Sequence, residues 1–249
     1  MFNALAASIA YFTRVPLPKK LQLGEMDFVR GTRFFPWIGL LVGLLQVAVI
    51  GSLQNIVPYQ IAVFLSVVFI IWLTGALHED GLADCADAFG GGHGDRQRIL
   101  NIMKDSRLGT YGVLALLVIF VWRIQSINLI PWEQALVVLS FVQTLSRYLA
   151  LTIAWSLPYA RAQEKSTNSK SFINYSHASG LVASLSLFLF LILLPPLFLL
   201  PSLLGMMFLF FLLRNFFYRH LQGFTGDCLG ASQQIAEAIL YTIWMIIYV

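Results

Sequence analysis

Residues 59–77 read YQIAVFLSVVFIIWLTGAL and contain no charged side chain. Residues 78–92 follow directly and read HEDGLADCADAFGGG, with four carboxylates, one histidine and three consecutive glycines. A helix of about 20 mostly apolar residues is long enough to cross the hydrocarbon core of a bilayer. Together the two stretches predict a membrane-spanning helix that leads directly into a polar functional segment.

The whole chain has the composition of a polytopic membrane protein. Of its 249 residues, 58% are hydrophobic and 11% are charged, whereas a soluble domain is charged at about 25% of its positions. We therefore predict a single integral membrane domain, residues 1–249, folded as an all-α helix bundle with about seven spans. The N-terminal run lacks a basic start, so we expect a short helix at the membrane surface there and no signal peptide. The predicted spans cover about residues 34–57, 59–77, 110–130, 134–157, 181–200, 202–218 and 234–249.

Lysine and arginine occur in loops on only one side of this predicted bundle. They lie before the first span and after the second, fourth and sixth, and the three intervening loops contain none. Basic loops favour the cytoplasm, so we predict that the N-terminus and the acidic stretch face the cytoplasm at the inner membrane. This pattern explains the net charge of +4 without a nucleic-acid partner. Polar residues gather at that same face in catalytic loops, whereas a transport path would need them across the membrane depth.

Three of the acidic residues have the spacing of metal ligands. Asp80, Asp84 and Asp87 are separated by four and three positions, which places them within roughly 60° of one another on a helix. Carboxylates that close repel one another. A divalent cation would offset the repulsion, and Mg²⁺ is the ion that prefers oxygen ligands together with substrate phosphates. We predict that these three residues bind Mg²⁺ and act in catalysis, with His78 or Glu79 as the general base.

A second glycine-rich motif, GFTGDCLGAS at residues 223–232, contributes Thr225 and Asp227. Asp227 could complete the metal shell, with Thr225 binding substrate, or the motif could be a tight turn that caps the last helix. Cys85 and Cys228 lie inside the two polar motifs but lack the spacing of a metal site. We expect no structural disulfide between them in a reducing cytoplasm.

Phosphate binding is predicted from glycines and basic residues that follow the acidic stretch. Successive amides of Gly90, Gly91 and Gly92 could form an anion nest. The side chains of Arg96, Lys104 and Arg107 could pair with phosphate oxygens. Arg147 lies inside a predicted span, where a charge is costly, so it is expected to bind an anion or an acidic partner. The alternative is a solvated loop in which acids and bases neutralise one another. Arg123 is assigned no role, because it could reach the opposite interface.

Three segments resemble the signature stretches of the cobalamin synthase family: LTGALHEDGLADCADAFGGG at residues 73–92, RILNIMKDSRLGTYG at 98–112 and GFTGDCLGA at 223–231. The resemblance implies an enzyme that joins adenosylcobinamide-GDP to α-ribazole or α-ribazole 5'-phosphate and releases GMP, with Mg²⁺ as cofactor. It also implies a multi-pass protein of the cytoplasmic membrane, surrounded by membrane lipid. A homo-oligomer and a complex with other cobalamin-pathway enzymes are left open.

Two other classes of protein share parts of this pattern. CDP-alcohol phosphatidyltransferases also carry spaced aspartates at the membrane face, but their motif resembles D-G-x-x-A-R. Here Asp84 and Cys85 stand where that motif has alanine and arginine, and the later spacing does not match either. A cation transporter or channel could use carboxylates as a selectivity ring, but it would need them at the membrane midplane.

Overall fold

The computed structural model describes residues 1–18, 20–161 and 176–249. Within these ranges it is helical apart from its connections, and no strand forms beyond an isolated bridge between Tyr159 and Phe224. The prediction of an all-α fold is confirmed. Lys19, Lys165 and Lys170, which contribute to the basic loops, lie outside the described residues. The helices are α1 (Phe2–Phe12), α2 (Glu25–Gly31), α3 (Phe35–Leu53), α4 (Tyr59–Thr74), α5 (Leu77–Gly91), α6 (Arg96–Ile102), α7 (Thr110–Asn128), α8 (Trp132–Ser156), α9 (His177–Phe188), α10 (Phe190–Leu193), α11 (Pro196–Leu221) and α12 (Gly226–Tyr248).

Several helices are long and apolar enough to cross a membrane, which supports the predicted membrane bundle. Among the described residues four continuous helical segments meet this condition, or five if α4 and α5 form one bent span. The predicted number of seven is not confirmed. The helical segment His177–Leu193 is short and ends just before Pro195. The four segments are Glu25–Leu53, Thr110–Asn128, Trp132–Ser156 and Pro196–Leu221.

The acidic stretch forms helix α5, so the helical spacing assumed for its three aspartates is confirmed, whereas the expectation of a catalytic surface loop there is wrong. α4 ends at Gly75, whose φ of +68° is followed by a φ of +59° at Ala76. Two successive left-handed residues break the α-helical path, and α5 leaves α4 at an angle of 86°. A Cβ atom on Gly75 would also lie 3.0 Å from Nε of Arg14. The apolar run therefore does lead directly into the polar segment, through a sharp bend between two helices.

α5 runs antiparallel to the beginnings of both α7 and α12. Along α12, a Cβ atom on Gly230 would lie 3.1 Å from the carbonyl oxygen of His78, and one on Gly81 would lie 2.8 Å from that of Asp227. Along α7, a Cβ on Gly112 would lie 3.1 Å from the carbonyl oxygen of Ala83. The end of α5 and the starts of α7 and α12 therefore meet at one end of the bundle. We call it the carboxylate end, because Asp80, Asp84, Asp87 and Asp227 lie there.

Candidate active site

The carboxylate end is built on a glycine-to-glycine crossing of α5 and α12. Gly81 lies between Asp80 and Asp84 in the sequence, and its backbone touches the backbone of Asp227 and Gly230. A larger residue at either glycine would push the two helices apart. The crossing therefore brings the carboxylates of two sequence motifs, separated by well over one hundred residues, close together. This agrees with one of the two alternatives that the sequence left open for Asp227.

The carboxylate of Asp84 lies at the centre of this acidic group. It is partly buried, and repulsion from Asp80, Asp227 and Asp87 acts on it in addition to the cost of desolvation. Asp80 is exposed, while Asp87 and Asp227 are partly exposed. Burial and like charges both disfavour an ionised carboxylate. The site therefore stores electrostatic repulsion that a cation could relieve.

Asp87 has a structural partner that the sequence did not reveal. Its carboxylate accepts hydrogen bonds from the backbone N–H groups of Gly109, at 2.7 Å, and Gly112, at 2.9 Å. These groups belong to the N-terminus of α7, where backbone donors lack helical partners. Asp87 thus caps α7 and is the least available of the four carboxylates for a metal ion.

Asp227 is oriented by Thr225 and approached by Arg161. The hydroxyl oxygen of Thr225 accepts the N–H of Cys228 at 3.3 Å and its hydroxyl group is 3.1 Å from a carboxylate oxygen of Asp227. Thr225 is fully buried and begins α12, so the alternative of a helix-capping motif is confirmed alongside the proximity of Asp227 to the site. Arg161, which the sequence analysis did not single out, lies 4.0 Å from the same carboxylate. Cys85 and Cys228 are free and buried, as expected.

The three predicted phosphate-binding glycines end a helix and do not form a loop. Gly90 and Gly91 complete the last turn of α5, and Gly92 is its C-cap with helical backbone angles. Cβ atoms on Gly90 and Gly92 would collide with the ring of Tyr111 and with Ile99, respectively. The expected glycine loop does not form, and Gly90 and Gly92 instead allow close packing against α7 and α6. A phosphate contact of these glycines stays a prediction.

Two of the predicted phosphate-binding side chains have partners within the protein. Arg96 donates from Nε to the carbonyl oxygen of Leu221 at 2.8 Å and from Nη2 to that of Ala160 at 2.9 Å. It thereby joins α6 to the segments that precede Asp227 and Arg161. Arg107 is exposed and pairs with Asp105 at 2.6 Å, and these hydrogen bonds lower the pKa of Asp105. Lys104 is exposed next to α6, and its phosphate contact stays a prediction.

The side chains of His78 and Glu79 lie in different environments, although the two residues are neighbours in sequence. His78 is buried, stacks on Phe35 with a centroid separation of 5.6 Å, and its Nε2 has no hydrogen-bond partner among the described residues. It lines a small cavity of about 40 Å³ with Tyr11 and Gly226. The Glu79 carboxylate instead accepts hydrogen bonds from a buried arginine, Arg123, at 3.1 Å. The structure thus leaves His78 the more available base.

A buried ion network lies between α5, α7, α8 and α12. Arg123 is 3.1 Å from Glu79 and 3.1 Å from Glu237, and Arg147 is 3.8 Å from Glu237. The side chain of Gln234 joins the network by hydrogen bonds to Glu79 and Arg123. Arg147 therefore has the acidic partner that we predicted. The assignment of no role to Arg123 is wrong, and so is the expectation that polar groups collect only at one face.

The donor set of the carboxylate end suits a hard cation, although it is not preassembled around one. Asp80, Asp84 and Asp227 offer carboxylate oxygens, which Mg²⁺ prefers. No group of three or more His, Cys, Asp or Glu side chains in the described ranges already has the arrangement of a metal site. Mg²⁺ commonly takes only one or two carboxylates and completes its shell with water and substrate phosphates. The residues fit a site of this kind, in which the substrate supplies some of the metal ligands.

These features define an all-helical membrane protein with a cluster of carboxylates at one end, which is the candidate site. A family model described as cobalamin-5-phosphate synthase matches residues 4–245. The adenosylcobinamide-GDP ribazoletransferase of Shewanella baltica (strain OS185) is 37% identical over 243 residues, or 96% of this chain and 92% of that protein. The enzyme of the same name from Shewanella amazonensis is 36% identical over 258 residues, covering 97% and 94%. No solved structure matches. The chain belongs to the cobalamin-5-phosphate synthase family.

Proposed function

We propose that the protein joins adenosylcobinamide-GDP to α-ribazole or α-ribazole 5'-phosphate, giving adenosylcobalamin or its 5'-phosphate and GMP. The observation that carries this proposal is the α5–α12 crossing, which places Asp80 and Asp84 beside Asp227 in a chain of this family. Relatives with the matching name share more than nine-tenths of their length with this chain. The reaction is a phosphoryl transfer, which depends on positioning and on charge stabilisation.

The chemistry requires one bond to form and one to break at phosphorus. A ribose hydroxyl oxygen attacks the phosphorus that bears the cobinamide, and the bond from that phosphorus to the bridging oxygen of the pyrophosphate breaks, so that GMP leaves. Because the 5' oxygen is already esterified in the phosphorylated substrate, the attacking hydroxyl common to both substrates is another one on the ribose. Its proton needs an acceptor. His78 is our candidate, since its Nε2 is unpaired and borders the cavity at the start of α12.

We further propose that Asp80, Asp84 and Asp227 hold Mg²⁺ together with the pyrophosphate of the substrate, with Asp87 in support. The bound ion would neutralise charge that develops on the phosphate oxygens. Asp87 holds α7 against α5 through its two hydrogen bonds. This contact fixes the position of α5, and therefore of Asp84, relative to α7. Among the basic residues, Arg161 is our candidate for a contact with phosphate oxygens, since its guanidinium group lies 4.0 Å from the Asp227 carboxylate. Arg96 donates to two backbone carbonyls, and Arg107 pairs with Asp105.

The proposed location is the inner membrane, with the N-terminus and the carboxylate end facing the cytoplasm. The distribution of basic loops supports this orientation, and the apolar helices support a membrane location. A cytoplasmic site is also where nucleotide-activated substrates are available. The buried network does not favour a transport path, because its four charged groups pair with one another.

Product formation by the purified full-length protein tests this function. Adenosylcobinamide-GDP, α-ribazole and Mg²⁺ are supplied, and GMP and cobalamin are quantified by chromatography. We expect equal amounts of both products, and we expect none with Asp84→Asn or with a chelator. Asp95→Asn is the matched control, because Asp95 is exposed and caps the short helix α6. Folded protein that yields no product, or full activity in Asp84→Asn, would refute the proposal.

A further inference from the structure

The small cavity beside His78 is too narrow to hold the whole nucleoside whose proton His78 would accept. Its volume is about 40 Å³, which suits a hydroxyl group or a water molecule but not a fused pair of aromatic rings. Under the proposed function, on which this inference rests, a ribose hydroxyl of α-ribazole lies at Nε2 of His78. The benzimidazole base is bonded to the same ribose ring, so it must lie next to the cavity, at its rim.

Tyr11 provides an accessible aromatic surface at that rim. Four aromatic residues within the described ranges line the cavity. Phe12, Phe35 and His78 are each 3% exposed and form its interior, whereas Tyr11 is 36% exposed. A base that lies outside the cavity can therefore contact the ring of Tyr11, while the other three rings are covered by protein.

The space in front of this rim is open and lies beside the proposed metal ligands. Leu77 and Gly226 also line the cavity and are exposed. A Cβ atom built on Gly226 would have no heavy atom within 4 Å. Burial raises the pKa of Tyr11, and the neighbouring Tyr159 and Asp227 raise it further, so Tyr11 lies near the carboxylate end. A flat ring therefore has room here, close to the reacting groups.

A continuous series of ring contacts fixes Tyr11 relative to His78. The ring of Tyr11 meets that of Phe12 edge-on, with centroids 4.9 Å apart, and Phe12 stacks on Phe35 at 4.2 Å. Phe35 in turn stacks on His78 at 5.6 Å. The backbone N–H of Arg14 donates to a carbonyl oxygen of α4 at 2.7 Å, which holds the end of α1 in place. Because the surface is already positioned, a ligand need not order it on binding.

We infer that Tyr11 determines specificity for the attacking nucleoside by stacking on the aromatic base of α-ribazole while a ribose hydroxyl lies at His78. A base and an aromatic side chain attract each other through their ring faces. The contact therefore favours a nucleoside with a flat base over a sugar without one, and it does not involve adenosylcobinamide-GDP.

Binding and turnover measurements on the full-length protein in detergent test this role. α-Ribazole and its 5'-phosphate are titrated separately by isothermal titration calorimetry, without adenosylcobinamide-GDP. We expect Tyr11→Leu to weaken binding by roughly fivefold to twentyfold, because the stacking contact is lost, and Tyr11→Phe to bind like the wild type. In turnover, Tyr11→Leu should raise the KM for α-ribazole by a similar factor and leave the KM for adenosylcobinamide-GDP unchanged. Tyr218→Leu is the matched control, since Tyr218 is exposed near the end of α11 and outside the cavity.

Equal affinity of Tyr11→Leu and the wild type would overturn this inference. An equal loss of affinity in Tyr11→Phe would also overturn it, because the hydroxyl group and not the ring face would then make the contact. If Tyr11→Leu does not fold, Tyr11→Met, which also lacks a ring, decides the matter. A wild type that binds neither α-ribazole nor its 5'-phosphate would refute the proposed function and this inference together, so the two failures are distinguishable.

Discussion

Replacing Arg123 with methionine should destabilise the protein strongly, because it breaks a buried ion network. Arg123 is 4% exposed and links Glu79 on α5 to Glu237 on α12, at 3.1 Å in each case. With Arg147 included, the network has two positive and two negative groups. The substitution leaves one negative charge in excess within the bundle.

The size of the effect follows from which carboxylate loses its partner. Glu237 still has Arg147 at 3.8 Å, whereas Glu79 retains only the amide of Gln234 at 3.1 Å. The loss therefore corresponds to one broken buried pair, which costs about 3–5 kcal/mol. Total unfolding free energies are about 5–15 kcal/mol, so Arg123→Met should remove a large part of the stability.

A second substitution distinguishes two causes of the lost stability: the uncompensated charge of Glu79 and the lost packing of the Arg123 side chain. Arg123→Met combined with Glu79→Gln leaves Arg147 and Glu237 as a balanced pair, and glutamine can still accept the hydrogen bond from Gln234. The double variant should recover about 2–3 kcal/mol relative to Arg123→Met alone.

Denaturant titration of the detergent-solubilised protein, followed by far-ultraviolet circular dichroism, gives these free energies. Arg107→Met is the control, because Arg107 is fully solvated in an exposed pair with Asp105, and it should leave stability unchanged. A single Arg123→Met variant as stable as the wild type would show that the network does not hold α5 to α12. A double variant less stable than Arg123→Met would show that packing, and not charge balance, sets the cost.

Three further substitutions test the carboxylate end. Gly81→Ala should abolish product formation while circular dichroism still reports a helical protein, because its Cβ would press on the backbone of Asp227. Gly24→Ala is the control and should keep full activity, because its Cβ would meet only a carboxylate oxygen of Asp27, at an ordinary contact distance of 3.9 Å. Asp87→Asn should lower stability by about 1–3 kcal/mol in denaturant titrations, since one N–H of the α7 terminus loses its acceptor, and unchanged stability would contradict the capping role. Asp84→Asn should be inactive. Without Mg²⁺ it should melt at or above the wild-type temperature, because it removes the repulsion between Asp84 and the neighbouring carboxylates. Mg²⁺ should raise the melting temperature of the wild type only. A melting temperature of Asp84→Asn below that of the wild type would refute the repulsion.

The apolar runs located α3, α7 and α8 to within a few residues, because a membrane helix must satisfy its own backbone and can expose apolar surface to lipid. α11 begins at Pro196, before the predicted start at residue 202, so the predicted break between two spans lies inside this helix. α5 was mistaken for a loop for a physical reason. Its acidic residues repel one another within the helix, which argues against helix formation in isolation. The contacts that stabilise it, at Gly230 of α12 and Gly109 of α7, come from segments distant in sequence.

The site was predicted better in its residues than in their roles. Their shared helix face could not distinguish Asp87 from Asp84, because the difference lies in two N–H groups of α7. Likewise, the sequence shows that Arg123 is charged and lies in an apolar helix, but its partner Glu79 is 44 positions away. Such pairings become visible only when the helices are packed.

The buried network and the carboxylate end act on the same two helices in opposite directions. At the crossing, Asp80 and Asp84 on α5 repel Asp227 on α12. Deeper in the bundle, Arg123 attracts one acid from each helix and holds them together. Because that attraction does not involve the reacting groups, the acidic site can stay assembled before substrate and cation arrive. If the proposed Mg²⁺ binds, relief of this repulsion would strengthen its binding, since none of its interaction energy is needed to bring α5 to α12.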